Sequence, residues 1–249
     1  MKGLIIKDIY CLRKQLTTYG FIIFGVAAVA IMFVLSERYG NLRETVSGMQ
    51  EAGFDIAAVV KIAVMFFMLL PLVCTGQIGD LFNYDKKSSF YKTAASLPVS
   101  TEKRVLSKFL TALLFLAAGL AVDIAMAAVM SSVSDILLFS KCAGTLVSIS
   151  ACVMTVTSII IMLDYAGVKP DYAPFFPIGA GFILLVIVKF RDIKSLLLND
   201  DFGSFSAFFH KLINAFECKS YIFAIVAVAV ASVSYIVSVY IAKQKKGVA

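Results

Sequence analysis

Six long apolar runs without charge, broken once by a single acid, leave this chain little freedom in what it can fold into. They are Gln15–Ser36, Ile62–Gly79, Phe109–Ser134 (interrupted only by Asp123), Cys142–Leu163, Tyr172–Val188 and Ser220–Ala242. About 20 apolar residues carry a helix across the roughly 30 Å hydrocarbon core of a bilayer. A helix also satisfies its own backbone hydrogen bonds, which lipid cannot do for it. The expected fold is an all-α integral membrane protein with six transmembrane helices, at about 19–36, 56–79, 109–132, 142–163, 172–190 and 220–242. Composition agrees: 60% of residues are hydrophobic and 16% charged, which is not the make-up of a soluble globule.

The segments between the runs are unequal, and the most basic is 80–108, DLFNYDKKSSFYKTAASLPVSTEKRVLSK. Six of the 23 basic residues lie in it: Lys86, Lys87, Lys92, Lys103, Arg104 and Lys108. A long basic loop between two spans is retained on the cytoplasmic side, and six spans then put both termini there too. Leu81, Phe82, Phe90 and Tyr91 among polar residues suit an amphipathic helix over Asp80–Thr93. Pro98 ends it and turns Leu97 away from helical geometry. A new helix starts at Ser100 or Thr101, with Glu102 in its first turn. The net charge of +7 is accounted for by this inward bias, so a nucleic-acid partner is not inferred.

Residues 1–18 repeat Leu4, Ile5, Ile9, Leu12 and Leu16 at helical spacing, with Lys2, Lys7, Asp8, Arg13 and Lys14 among them. That pattern predicts an interfacial helix attracted to anionic headgroups. Ala117, Ala121 and Ala125 in the third span form a small-residue stripe for close helix approach, and Ala227 and Ala231 repeat it in the sixth. Asp123 costs on the order of 3 kcal/mol at a helix centre, so it faces protein or water. It is read either as part of a translocation path or as a structural hydrogen-bonding group. Phe66, Phe67 and Met68 suit an adaptable greasy surface on such a path, and equally a packed core. Residues 191–219, with Phe205, Phe208, Phe209, Leu212 and Phe216, read as an amphipathic outer helix. Five cysteines without C-x-x-C spacing read as small apolar fillers, with a Cys142–Cys218 disulfide as the alternative. No phosphate-binding G-x-x-x-x-G-K-[ST] stretch occurs, and one histidine builds no metal centre, so neither an enzyme nor a bound cofactor is expected.

Two stretches carry a family resemblance. Met1–Tyr10 (MKGLIIKDIY), and Asp85–Lys92 (DKKSSFYK) followed by Leu97-Pro98-Val99-Ser100 and Lys103–Lys108, resemble bacterial ABC-2-type transporter permeases. Six spans and an amphipathic segment before the last one fit the same family, while Thr101-Glu102 departs from the arginine often found there. The resemblance implies one half of an exporter in the bacterial cytoplasmic membrane, paired with a second copy or a paralogue. Separate ABC ATPase subunits, which bind ATP and magnesium, would dock on the loop between spans two and three. Carried onto this chain, their contacts are Asp85, Lys86, Phe90, Tyr91, Leu97, Pro98, Lys103 and Arg104. The compact build resembles permeases moving antimicrobial or cytolytic peptides, with lipid-like amphiphiles second. An ion-coupled carrier of a small amphiphile is the alternative, and an intramembrane enzyme the third.

Overall fold

The computed structural model describes residues 2–39, 85, 99–133, 139–168, 172–173, 175–177, 179 and 219–246. Four long helices make up nearly all of this: α1 (Lys2–Tyr39), α2 (Thr101–Val133), α3 (Phe139–Ala166) and α4 (Ser220–Lys246). There is no strand among the described residues. Three stretches are long and apolar enough to cross a membrane: Thr101–Ser132, Cys142–Ala166 and Ser220–Gln244. The spans expected at 56–79 and, for the most part, 172–190 lie outside the described residues, as does the outer segment 191–219 except Lys219.

The helices overrun the apolar runs that predicted them. Residues 1–18 and the span at 19–36 were expected as separate elements, yet Lys2–Tyr39 is one helix. Its 38 residues measure about 57 Å at 1.5 Å per residue, nearly twice the hydrocarbon thickness. No proline interrupts it, and Thr17 turns its hydroxyl back onto the Arg13 carbonyl at 3.0 Å rather than breaking the ladder. Likewise α2 starts at Thr101, so the charged stretch Thr101–Lys108 is the first two turns of the third span. Of the two starts expected, the structure takes Ser100 as the cap: its hydroxyl accepts the Lys103 amide at 3.4 Å, and its carbonyl accepts that of Arg104 at 3.2 Å. At the other end of the pair, α3 stops at Gly167, whose φ of 100° only glycine adopts readily. Val168 N–H reaches the Leu163 carbonyl and Gly167 N–H the Asp164 carbonyl, both at 3.1 Å, closing a Schellman motif.

The helices pack antiparallel where the chain order requires it. Ile161 of α3, fully buried, meets Phe109 and Ala112 of α2. Phe109 also meets Tyr235 of α4 edge to face, with ring centres 5.7 Å apart. Lipid supplies no hydrophobic drive between helices, so contact depends on small residues and hydroxyls. The buried face of α4 is Ala227, Ala231, Ser234 and Ser238, against α3. Buried hydroxyls on α3 bond to their own helix, Ser148 to the Gly144 carbonyl at 3.0 Å and Ser158 to that of Met154 at 2.7 Å. Phe21 and Phe24, each 76% exposed, point outward where lipid tails would lie.

The small-residue stripe of the third span is used differently from expectation within the described chain. Ala117, Ala121 and Ala125 are exposed, and the buried face of α2 is Gly119, Asp123, Met126, Ala127 and Met130. Asp123 sets this rotation. Residues two positions away stand about 200° around the helix, so hiding Asp123 turns Ala121 and Ala125 outward. Ala231→Leu, which overfills the α3–α4 contact, will destabilise the detergent-solubilised protein by about 1–3 kcal/mol. Ala121→Leu will leave its thermal unfolding essentially unchanged.

Candidate functional site

The loop between the expected second and third spans is joined to the helices by a buried cluster of charges. Asp8 lies on the inner face of α1, 1% exposed, one turn before the buried Leu12. Lys108, 7% exposed, lies two turns into α2, directly below the apolar part of the helix. Asp85, 3% exposed, is placed between them. Lys108 Nζ donates to Asp8 Oδ1 at 2.9 Å and to Asp85 Oδ2 at 2.6 Å. Lys7 Nζ closes the other side, 2.5 Å from Asp85 Oδ1 and 3.0 Å from Asp8 Oδ1. Two lysines and two aspartates thus balance one another.

Removing such groups from water costs several kcal/mol per ion, and the arrangement survives because each charge meets two opposite ones. Apart from the neighbours Lys7 and Asp8, the partners are remote in sequence, 78 residues for Lys7–Asp85, 100 for Asp8–Lys108 and 23 for Asp85–Lys108. Burial alone would lower the Lys7 ammonium, but hydrogen bonds to and the charges of Asp85 and Asp8 outweigh it, holding Lys7 above its ordinary 10.5. A second contact, Lys243 Nζ to Glu102 Oε1 at 2.5 Å, joins the end of α4 to the start of α2. Both groups are more than half exposed, so this bridge contributes little. Its value is topological. The start of α1, the loop residue Asp85, the start of α2 and the end of α4 all meet at one end of the bundle, so Lys7 and Lys243 mark the same side.

Of the eight loop residues inferred as partner contacts, Asp85 is this buried link, Lys103 is exposed and Arg104 half-buried on the first turn of α2. Lys86, Phe90, Tyr91, Leu97 and Pro98 lie outside the described residues, as do Phe66, Phe67 and Met68. Asp123 is fully buried, with neither carboxylate oxygen hydrogen-bonded. Among the described residues no cluster of histidine, cysteine and acidic groups is arranged to hold a metal. Sequence reading placed Lys7 and Asp8 in the interfacial helix and Lys108 in the basic loop, but inferred no site role for them. One signal was present for Asp8: it falls four residues after Leu4 and four before Leu12, inside the apolar stripe.

Breaking the cluster from one side strands a buried charge. Lys108→Met is expected to cost about 3–5 kcal/mol, read by thermal unfolding in detergent, while Lys103→Met costs little. The contribution of Lys7, whose value is raised on folding, is complete below pH 10.5 and is lost as pH climbs through the raised value. The deficit of Lys7→Met against the parent will therefore be constant from pH 7 to about 10 and will shrink above that.

No curated protein matches the chain, and no solved structure does. The profile of one family does, that described as ABC-2 family transporter protein, over residues 53–243. The matched region includes Asp85 and Lys108 of the cluster and all of α2 and α3, and begins after α1. With well over half its length matched, and with helices built to cross a bilayer, this chain belongs to the ABC-2 transporter family and is a multi-pass permease of an ABC transporter.

Proposed function

We propose that the chain is the membrane half of an ATP-driven exporter in a bacterial cytoplasmic membrane, working as a homodimer with two separate ABC ATPase subunits. The observation that carries this reading is the family match joined to the buried seat of Asp85. A permease with no nucleotide-binding loop of its own must receive work through a contact surface. The segment 80–108 is its most basic connection, and its first described residue is tied into two helices. ATP and magnesium bind the partner. Phe90, Tyr91, Leu97 and Pro98 supply packing contacts to it, Lys86, Lys103 and Arg104 polar ones, and Asp85 holds the loop in place. The end of the bundle bearing Lys7 and Lys243 faces the cytoplasm, in keeping with the basic loop there.

The cargo is an amphipathic peptide of the antimicrobial or cytolytic kind, taken from the inner leaflet. The outward-facing aromatic and branched side chains of α1 and α4 present an apolar flank on which such a molecule could partition, and Asp123 with Phe66, Phe67 and Met68 would lie on its path.

Three measurements test the reading. The tagged chain, expressed with its neighbouring genes, will retain a P-loop ATPase through purification, and a Walker-dead form of that ATPase will abolish cargo efflux; efflux that persists favours an ion-coupled carrier instead. Phe90→Ala and Pro98→Ala will each lower ATP hydrolysis by the complex without reducing membrane insertion. An engineered thiol in the loop will stay unlabelled by an impermeant maleimide in intact cells; labelling there puts the loop outside and ends the proposal.

A further inference from the structure

We infer that the loop drives two helices rather than one: the cluster of Lys7, Asp8, Asp85 and Lys108 makes α1 and α2 a single rigid output. The inference rests on the reading of the loop as the ATPase contact. What it adds is the recipient of the movement.

Lys108 is bonded at once to Asp8 of α1 and to Asp85 of the loop, while Lys7 of α1 is bonded to the same Asp85. Asp85 therefore cannot shift relative to either helix without separating opposite charges inside a site where Asp8, Asp85 and Lys108 are all at least nine-tenths buried. Lys7 is a quarter exposed, but water has little access to the other three, so the low-cost movement keeps the pairs intact and carries α1 and α2 along together. The pairing of α2 with α4 at the same end is of another kind, because Glu102 and Lys243 are exposed and exchange each other for water easily. Rigid on one side and loose on the other, this end of the bundle favours movement of α1 with α2 against α4. Lys7, Asp8 and Lys108 act as positioning residues, since they act by holding Asp85 and one another.

Two charge-balanced double variants separate the links. Asp8→Asn with Lys108→Met removes the bonds to α2 and keeps Lys7–Asp85. Lys7→Met with Asp85→Asn removes the loop and keeps Asp8–Lys108. Each deletes one cation and one anion, so neither leaves an uncompensated buried charge. Spin labels go at Gly20→Cys on α1, where a Cβ meets nothing within 4 Å, at the exposed Ser132→Cys on α2 and at Val228→Cys on α4. The five native cysteines are replaced and unlabelled protein is added in excess. Distances are measured in the full complex in nanodiscs, free of nucleotide and trapped with ATP and vanadate.

In the parent, the α1–α2 distance is expected to be the same in both states while both helices shift against α4. The Asp8–Lys108 variant should broaden the α1–α2 distribution and make it respond to nucleotide. The Lys7–Asp85 variant should keep that distribution narrow and lose the nucleotide-driven shift against α4. A parent α1–α2 distance that changes with nucleotide, no shift of either helix against α4, or two variants that match the parent would each overturn the inference. Failure of any ATPase to stay with the parent chain would instead overturn the functional reading, and broadening in the nucleotide-free Asp8–Lys108 variant would still report the clamp.

Discussion

Two aspartates and a lysine taken almost wholly out of water dominate the physics of this chain. A carboxylate or ammonium in apolar surroundings is untenable alone, and a pair only breaks even when its geometry is good. Here each charge is shared, with Asp8 Oδ1 meeting both lysines and the two oxygens of Asp85 divided between them. No single segment is stable in this arrangement by itself. The first turns of α1, residue 85 and the first turns of α2 must be present together, and their joint assembly fixes where the loop is rooted.

Away from that end, the bundle is held by a different interaction. Helix α4 packs chiefly on α3, and the residues it buries are Ala227, Ala231, Ser234 and Ser238, small enough to bring backbones close. Hydroxyls there bond to their own helix, as Ser238 does to the Ser234 carbonyl at 2.7 Å, so they are buried without needing a partner across the interface. Contacts of this kind are short-ranged and not tied to one charge pattern. Helix α2 belongs to both regimes. Its base is locked by Lys108, and its middle packs through Gly119, Met126, Ala127 and Met130, with Asp123 on the same face. A helix gripped at one end and packed by small and flexible residues above is suited to transmit a tilt.

Three apolar runs, those expected at 109–132, 142–163 and 220–242, lie within α2, α3 and α4, and they were legible because the cost of placing charge in hydrocarbon punctuates the chain. Their ends were not, since hydropathy records where lipid stops and not where the helix does. Thr101–Lys108 and Lys243–Lys246 are polar, yet both continue helices that a capping serine or the absence of a breaker allows. The charge cluster was hidden for another reason. Lys108 at the foot of an apolar run reads as an ordinary positive-inside residue, and Asp85 beside Lys86 and Lys87 reads as surface. Only the third dimension joins positions 8, 85 and 108. Asp8 was the exception, an acid on an apolar stripe. In α2 the period was legible and the chosen face was not. The alanine stripe is real, but the larger penalty attached to Asp123 decides which side of the helix turns inward.

The buried seat of Asp85 also changes what the loop residues can do. Its two oxygens are taken up by Lys7 and Lys108, which sets Asp85 apart from an exposed residue such as Lys103. The family-like DKKSSFYK stretch is rooted at its start by Asp85, and the segment that follows it leads into α2 through Val99 and the capping Ser100. Lys103, on the first turn of α2, is by contrast exposed. Asp85 is held by charge, and Ser100 by its place at the cap of α2.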